Sequence, residues 1–354
     1  MNILLLGAGG FIGSHLVDAL LRRGHEVTGL DRTDAKLAEV LDALPATARR
    51  RWAFHEANIR EAMPLVRTLV RRADVVVDLI AHANPSLYVT RPLDVFDLNF
   101  LQNLEVARLC VEHGRWLIQY SSAEVYGKAT GTSYTEDDTD SVFGPVHKQR
   151  WIYAVGKQLL ERVLYAHGAA GELRYTIVRP FNFLGPRIDY LVSAGATGGP
   201  RVFPHFMSAL LTGGPMRLVD GGTARRAFLD VRDGTAAFRA ILDQPERAHN
   251  QIFNVGNPDN EVTVRGLAEL MLGLWEELTG ETPRSAVESM GGEEFYGAGY
   301  EDGDRERPNV DKMRALGWAP RHDLRETVRG AMAYYLRGAG RTLPETRAPS
   351  AAVG

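Results

Sequence analysis

Tyr153 and Lys157 stand four residues apart, a spacing that sets both side chains on one helix face about one turn apart. A free phenol has a pKa near ~10 and is a poor base at neutral pH. A neighbouring ammonium, or another positive charge, favours the phenolate and lowers that value. Such a pair can draw a proton from an alcohol, although the same spacing is common on ordinary amphipathic helices. Ser121-Ser122-Ala123-Glu124 adds a hydroxyl able to donate to a forming carbonyl and a carboxylate able to exchange protons. Gly7-Ala8-Gly9-Gly10-Phe11-Ile12-Gly13 lies between a strand-like run and a helical pattern. Glycine there permits a tight turn and close approach of a pyrophosphate, and the helix start offers free N–H groups. Asp31 stands 18 residues past Gly13, at the end of the second apolar run. A carboxylate there accepts hydrogen bonds from adenosine ribose hydroxyls and repels a 2′-phosphate, which favours NAD over NADP. Arg32 beside it weakens that preference slightly.

The elements that must hold these groups alternate along the first half of the chain. Apolar runs at 2–6, 26–30, 52–55, 74–80, 116–120 and 175–179 read as strands, and 11–23, 91–113 and 151–167 as helices, the second beginning near Pro92. Strands alternating with helices imply parallel βαβ units under helices on both faces, an α/β fold of the Rossmann type with a doubly wound parallel sheet. The serine segment follows the fifth strand, at the edge where ligands of such sheets bind. After about Phe181, glycine and proline punctuate 185–222 and 290–308. The expected division is a dinucleotide-binding domain over 1–180, a smaller C-terminal substrate lobe over 181–337, and a disordered tail over 338–354. Residues 252–255 are expected to return to the sheet.

Composition bounds the remaining classes. Hydrophobic content of 45% and charged content of 24% over 354 residues are those of an ordinary globular protein. A net charge of −3 without a long basic stripe argues against a nucleic-acid partner. The apolar runs are too short to span a bilayer, and Met1 leads into a strand without a signal-peptide pattern, so a cytoplasmic location is expected. The lone Cys110 offers neither an internal disulfide nor a metal-binding pair, and no metal is expected.

Together the glycine turn, Ser121-Ser122-Ala123-Glu124-Val125-Tyr126-Gly127, the Tyr153/Lys157 pair and 179–186 resemble the extended short-chain dehydrogenases/reductases that act on nucleotide sugars as epimerases, dehydratases and decarboxylases. Segments 148–153, 157–162, 218–222, 254–258 and 295–300 are similar to UDP-apiose/UDP-xylose synthases and to the decarboxylase domain of aminoarabinose biosynthesis. The resemblance covers about residues 1–335. It implies NAD held by Gly7, Gly9, Gly10, Phe11, Ile12, Gly13 and Asp31. Asn58 and Ile59 would lie beside the adenine, and Ala81, Asn99, Tyr153 and Lys157 near the rest of the cofactor. Ser122, Tyr153 and Lys157 would form a catalytic triad, with Glu124 beside it. Tyr88, Arg150 and Asn182 would touch the sugar or the diphosphate, and Arg201, Arg226 and Tyr296 would hold a nucleoside diphosphate. Relatives pair two helices per subunit into a four-helix bundle, which here implies a homodimer through 91–113 and 151–167.

Three positions depart from the decarboxylating relatives. Ala123 stands where they carry cysteine or serine, and Ala83 where the synthases carry a second cysteine. Where they place an arginine for the glucuronate carboxylate, ungapped counting gives Glu306, flanked by Arg305 and Arg307. A unit charge pair about 4 Å apart at an effective dielectric near ~20 is worth roughly 4 kcal/mol, so arginine and glutamate there select opposite substrates. The expectation is therefore an NAD-dependent nucleotide-sugar epimerase working through a 4-keto sugar, with Glu306 facing the sugar. The alternative is a UDP-glucuronate decarboxylase, which a one-residue slip bringing Arg305 or Arg307 inward would restore. A non-catalytic NAD-binding sensor on the same fold is a remote third reading.

Overall fold

The computed structural model describes residues 1–189, 191, 201–341 and 343. Six strands, β1 (Asn2–Leu6), β2 (Glu26–Asp31), β3 (Trp52–Glu56), β4 (Val75–Asp78), β5 (Trp116–Tyr120) and β6 (Tyr175–Pro180), join a seventh, Gln251–Val255, in one sheet. The spatial order is β3-β2-β1-β4-β5-β6 and then Gln251–Val255, parallel at every pairing. Order reverses between β1 and β4, the switch point where such sheets open a crevice. β1, β4 and β5 are buried nearly throughout because helices cover both faces: one hydrophobic cluster gathers Leu5, Leu16, Leu20 and Ile118, and the other Leu4, Val76, Leu117 and Leu164.

The segment 91–113 is a helix, but not a uniform one. Pro92–Phe96 and Asn103–His113 are α-helical, and Asp97–Gln102 between them is a π-helix. The wider turn serves Asn99, whose Oδ1 accepts from the His82 backbone N–H at 2.7 Å and whose Nδ2 donates to the His82 carbonyl at 3.0 Å. Asn103 Nδ2 donates to the Ile80 carbonyl at 3.1 Å. The pair clamps the turn that leaves β4. The strand itself stops at Asp78, short of Leu79 and Ile80, because the Asp78 carboxylate accepts the Ile80 N–H and turns the chain.

The second half builds a lobe at the C-terminal edge of the sheet. Arg225–Ala227 pairs with Glu261–Thr263 and with Arg305–Glu306, and Met216–Val219 pairs with Val287–Met290. The helix Leu324–Gly338 runs into the stretch expected as a tail; residue 342 and everything beyond 343 lie outside the described residues. No helix among the described residues is long and apolar enough to cross a membrane.

Candidate active site

The glycine turn closes tightly on β1. Gly7 has φ +85°, a conformation L side chains rarely adopt. A Cβ on Gly9 would lie 2.0 Å from the Thr33 carbonyl oxygen, and one on Gly13 2.2 Å from that of Gly7. The helix Phe11–Arg22 starts at an extended Gly10 with no side-chain cap, so its first amides and their partial positive charge point outward. Asp31 braces the turn by accepting the N–H of Gly9 at 2.9 Å and of Arg32 at 2.7 Å, and its burial pushes its carboxyl above the usual range. A cradle closed to side chains, an uncapped helix start and a carboxylate ending β2 fit a dinucleotide. Gly13→Ala forces the turn open at a cost of about 1–3 kcal/mol. NAD affinity measured by calorimetry should fall at least about tenfold; unchanged affinity would show that the turn does not hold the cofactor.

The other positions expected near the cofactor divide. Ala81 lines the central cleft, and so does Ile12. Ile59 is buried just after β3, and Asn58 beside it donates to Glu61. Asn99 is 1% exposed and both its polar side-chain atoms are taken by His82. It holds the wall rather than reaching the cleft, because the π-turn draws it under the chain.

The cleft, about 280 Å³, brings together Ser122, Glu124, Tyr153 and Lys157 with Tyr88, Arg150, Asn182, Arg201, Arg226, Tyr296 and Glu306. Ser122 stands two residues past β5 and caps the short turn Ala123–Tyr126, and Tyr153 and Lys157 come from the helix Ile152–Ala169. The Ser122 side chain lies close enough to the Tyr153 phenol to lower its pKa, and the Tyr153 ring stacks on Tyr88 with centroids 4.5 Å apart at 9°. Burial pushes the phenol up to about 12; Ser122, Arg201 and Arg150 pull it back, and Glu124 pushes it further. Burial lowers Lys157 to about 8, against the charges of Asp78 and Glu161. Lys157 Nζ donates to the Tyr120 carbonyl at 2.9 Å. Here the structure departs from the sequence expectation. The ammonium is directed at a backbone carbonyl of β5, and the charges that lower the phenol are those of Arg150 and Arg201.

Glu306, and neither flanking arginine, faces the cleft. Its Oε2 accepts from Asn182 Nδ2 at 3.0 Å, and its Oε1 lies 3.2 Å from Arg226 Nε. Arg305 turns to Glu261 with contacts of 2.6 and 2.8 Å, and Arg307 donates to the Pro258 carbonyl. The strand pairing of Arg305–Glu306 with Arg225–Ala227 fixes this register, opposing Glu306 to Arg226.

Two arginines expected to hold phosphates are already engaged. Arg226 donates to the Arg225 and Gly303 carbonyls and to Asp302, besides facing Glu306. Arg201 makes a two-pronged contact with Asp189 and donates to the Ile188 carbonyl. Arg150 differs. It is 2% exposed, its guanidinium lies over the Trp151 ring, and Nη2 meets Glu124 at 2.6 Å, while Nε and Nη1 have no acceptor among the described residues. Glu124 is pushed up by burial and by Glu306 and Asp302, with Arg150 opposing. Sequence reasoning missed Tyr300, which stacks on Tyr296, and Asp302, which pairs with Arg226; both line the cleft. Their signal was the Tyr300-Glu301-Asp302 step just before Glu306.

Comparison with known proteins agrees with this geometry. Residues 3–256 match the NAD dependent epimerase/dehydratase family. The UDP-D-apiose/UDP-D-xylose synthase of Oryza sativa subsp. japonica is 39% identical, over 94% of this chain and 89% of the relative. The PbgP3 protein from Burkholderia pseudomallei superposes with a TM-score of 0.82 at 33% identity, covering 94% of this chain and 96% of the other. A UDP-glucose 4-epimerase of Thermus thermophilus, solved with NAD, gives 0.76 at 25% identity, over 96% and 100%. The chain thus belongs to the NAD-dependent epimerase/dehydratase family, the extended short-chain dehydrogenases/reductases, with NAD as its cofactor.

Proposed function

We propose that this protein is a nucleotide-sugar 4-epimerase. NAD, which the glycine turn and Asp31 would hold, would supply a reversible hydride acceptor and a positive charge. Tyr153, as phenolate, takes the proton of the sugar 4-hydroxyl, and Ser122 donates to the carbonyl oxygen that forms. Arg150 and Arg201 lower the phenol, Lys157 stays anchored on the Tyr120 carbonyl, and the two unpaired donors of Arg150 orient the sugar or its diphosphate. Once the 4-keto sugar has turned over, Tyr153 returns the proton to the C4 oxygen, and the reaction is redox-neutral. The observation that carries this reading is the strand register that turns Glu306, and neither flanking arginine, into the cleft. Glu124, Asp302 and Glu306 meet Arg150 and Arg226, and four of the five N–H groups of Arg226 are directed at partners within the protein. Beside Glu306 a substrate carboxylate would meet a second acid, and the Arg226 guanidinium there is already shared by Glu306 and Asp302. The test is product analysis by NMR after incubating NAD-loaded protein with UDP-glucose and with UDP-glucuronate. Inversion at C4 without carbon dioxide is expected; a pentose from UDP-glucuronate would overturn the reading.

That pentose would establish a second reading, a decarboxylase. Identity to a UDP-apiose/UDP-xylose synthase favours it, and so does the raised pKa of Glu124, which suits a proton donor. Oxidation at C4 of UDP-glucuronate would then give a β-keto acid that loses carbon dioxide.

The helices around the site also support a homodimer. Leu101, Val155 and Leu159 are 40–42% exposed, with Val155 and Leu159 one turn apart. Tyr165 continues the same helix at 61% exposure. A second copy covering these side chains completes the bundle. Leu159→Glu should convert a dimer to a monomer in light scattering, while a monomeric wild type at micromolar concentration would exclude the arrangement.

A further inference from the structure

We infer that Glu306 selects the substituent at C5 of the sugar, admitting a hydroxymethyl group and rejecting a carboxylate. The inference deepens the reading of the cleft as a nucleotide-sugar site and names the substrate class, a neutral nucleotide hexose. Glu306 is 7% exposed, yet it lines the cleft. Its position is over-determined. The strand register sets it against Arg226, Arg226 Nε lies 3.2 Å from one oxygen, and Asn182 donates to the other at 3.0 Å. A carboxylate has about four acceptor sites. Two are filled by these neighbours, and the rest are acceptors that only a donor can satisfy.

The surroundings sharpen this demand. Asp302 shares Arg226 with Glu306, and the Glu124 carboxylate feels the charge of both acids. A C5 carboxylate brings a further acceptor-only group beside Glu306 and Asp302, two acids that already share one guanidinium. It would meet Glu306 with no proton between them, and burial makes that repulsion expensive. A C6 hydroxyl brings the missing donor. A pentose, which lacks C6, leaves the acceptor unfilled and opens space where the hydroxymethyl would sit. The expected order of affinity is hexose, then pentose, then uronate.

Calorimetric titration of the NAD-loaded protein with UDP-glucose, UDP-xylose and UDP-glucuronate tests this directly. UDP-glucose should bind roughly tenfold more tightly than UDP-xylose, the worth of one buried hydrogen bond. It should bind at least about a hundredfold more tightly than UDP-glucuronate. Glu306→Gln keeps the shape and can donate to a carboxylate, so it should narrow the uronate penalty about tenfold or more, with UDP alone bound as in the wild type. The wild-type order stands as a test whether or not the variant folds. Equal or tighter binding of UDP-glucuronate by the wild type, no binding of any of the three, or an unchanged ratio in a variant that still binds UDP would overturn the inference. Absence of C4 inversion with this order intact would count against the epimerase reading alone.

Discussion

Tyr153→Phe should lower kcat by about 10²–10⁴, the range expected when a positioned acid–base group is lost. The substitution is sparing. Phenylalanine keeps the ring stacked 4.5 Å from Tyr88 and loses only the hydroxyl beside Ser122. KM and NAD affinity should therefore stay close to wild type, which separates a chemical role from a packing role. The pH dependence adds a second signature. The phenol is raised to about 12 by burial, so its neutral form dominates at neutral pH, and kcat/KM should climb as the phenolate fraction grows. In the phenylalanine variant the climb disappears. A variant with wild-type kcat would remove Tyr153 from the chemistry.

Glu161→Ala should destabilise the protein by about 3–5 kcal/mol, the usual cost of removing one partner of a buried ion pair. Glu161 and Arg179 meet through two contacts, 2.6 and 3.1 Å, in a pair nearly closed to solvent. Arg179 also donates to the Tyr126 hydroxyl and the Glu136 carbonyl, and Tyr126 donates to Asn254 at 2.8 Å. The network ties the helix bearing Tyr153 and Lys157 to β6, to the serine segment and to the strand Gln251–Val255. Losing Glu161 leaves a guanidinium buried without its counter-charge. Replacing both partners by apolar side chains of similar volume should restore most of the loss. Urea unfolding measures both. A loss under about 1 kcal/mol for the single variant would mean that water reaches Arg179 and the network is not dry.

Much of this was legible in the chain itself. Continuous apolar runs such as 2–6 mark strands covered on both faces, and the sheet has them where the runs lie. The glycine turn and the Tyr153/Lys157 spacing are local patterns, and the fold places them at the same edge. What was not legible depends on partners distant in sequence. Arg226 is engaged by Asp302 and Glu306, 76 and more residues away, so its type alone suggested a phosphate. Lys157 points at Tyr120 because β5 presents a carbonyl there, which no helical spacing reveals. The π-turn at Asp97–Gln102 adds no change in hydrophobic pattern; only the His82 backbone, met in three dimensions, explains it.

The most direct measurement follows the C4 hydrogen. NAD-loaded protein is given UDP-glucose carrying deuterium at C4 in ordinary water, and the product is read by NMR. Removal and return at one carbon within a closed site predicts an inverted C4 that still carries its deuterium, in both sugars at equilibrium. Deuterium exchanged for solvent hydrogen, or a C4 that never inverts while carbon dioxide leaves UDP-glucuronate, would contradict the account.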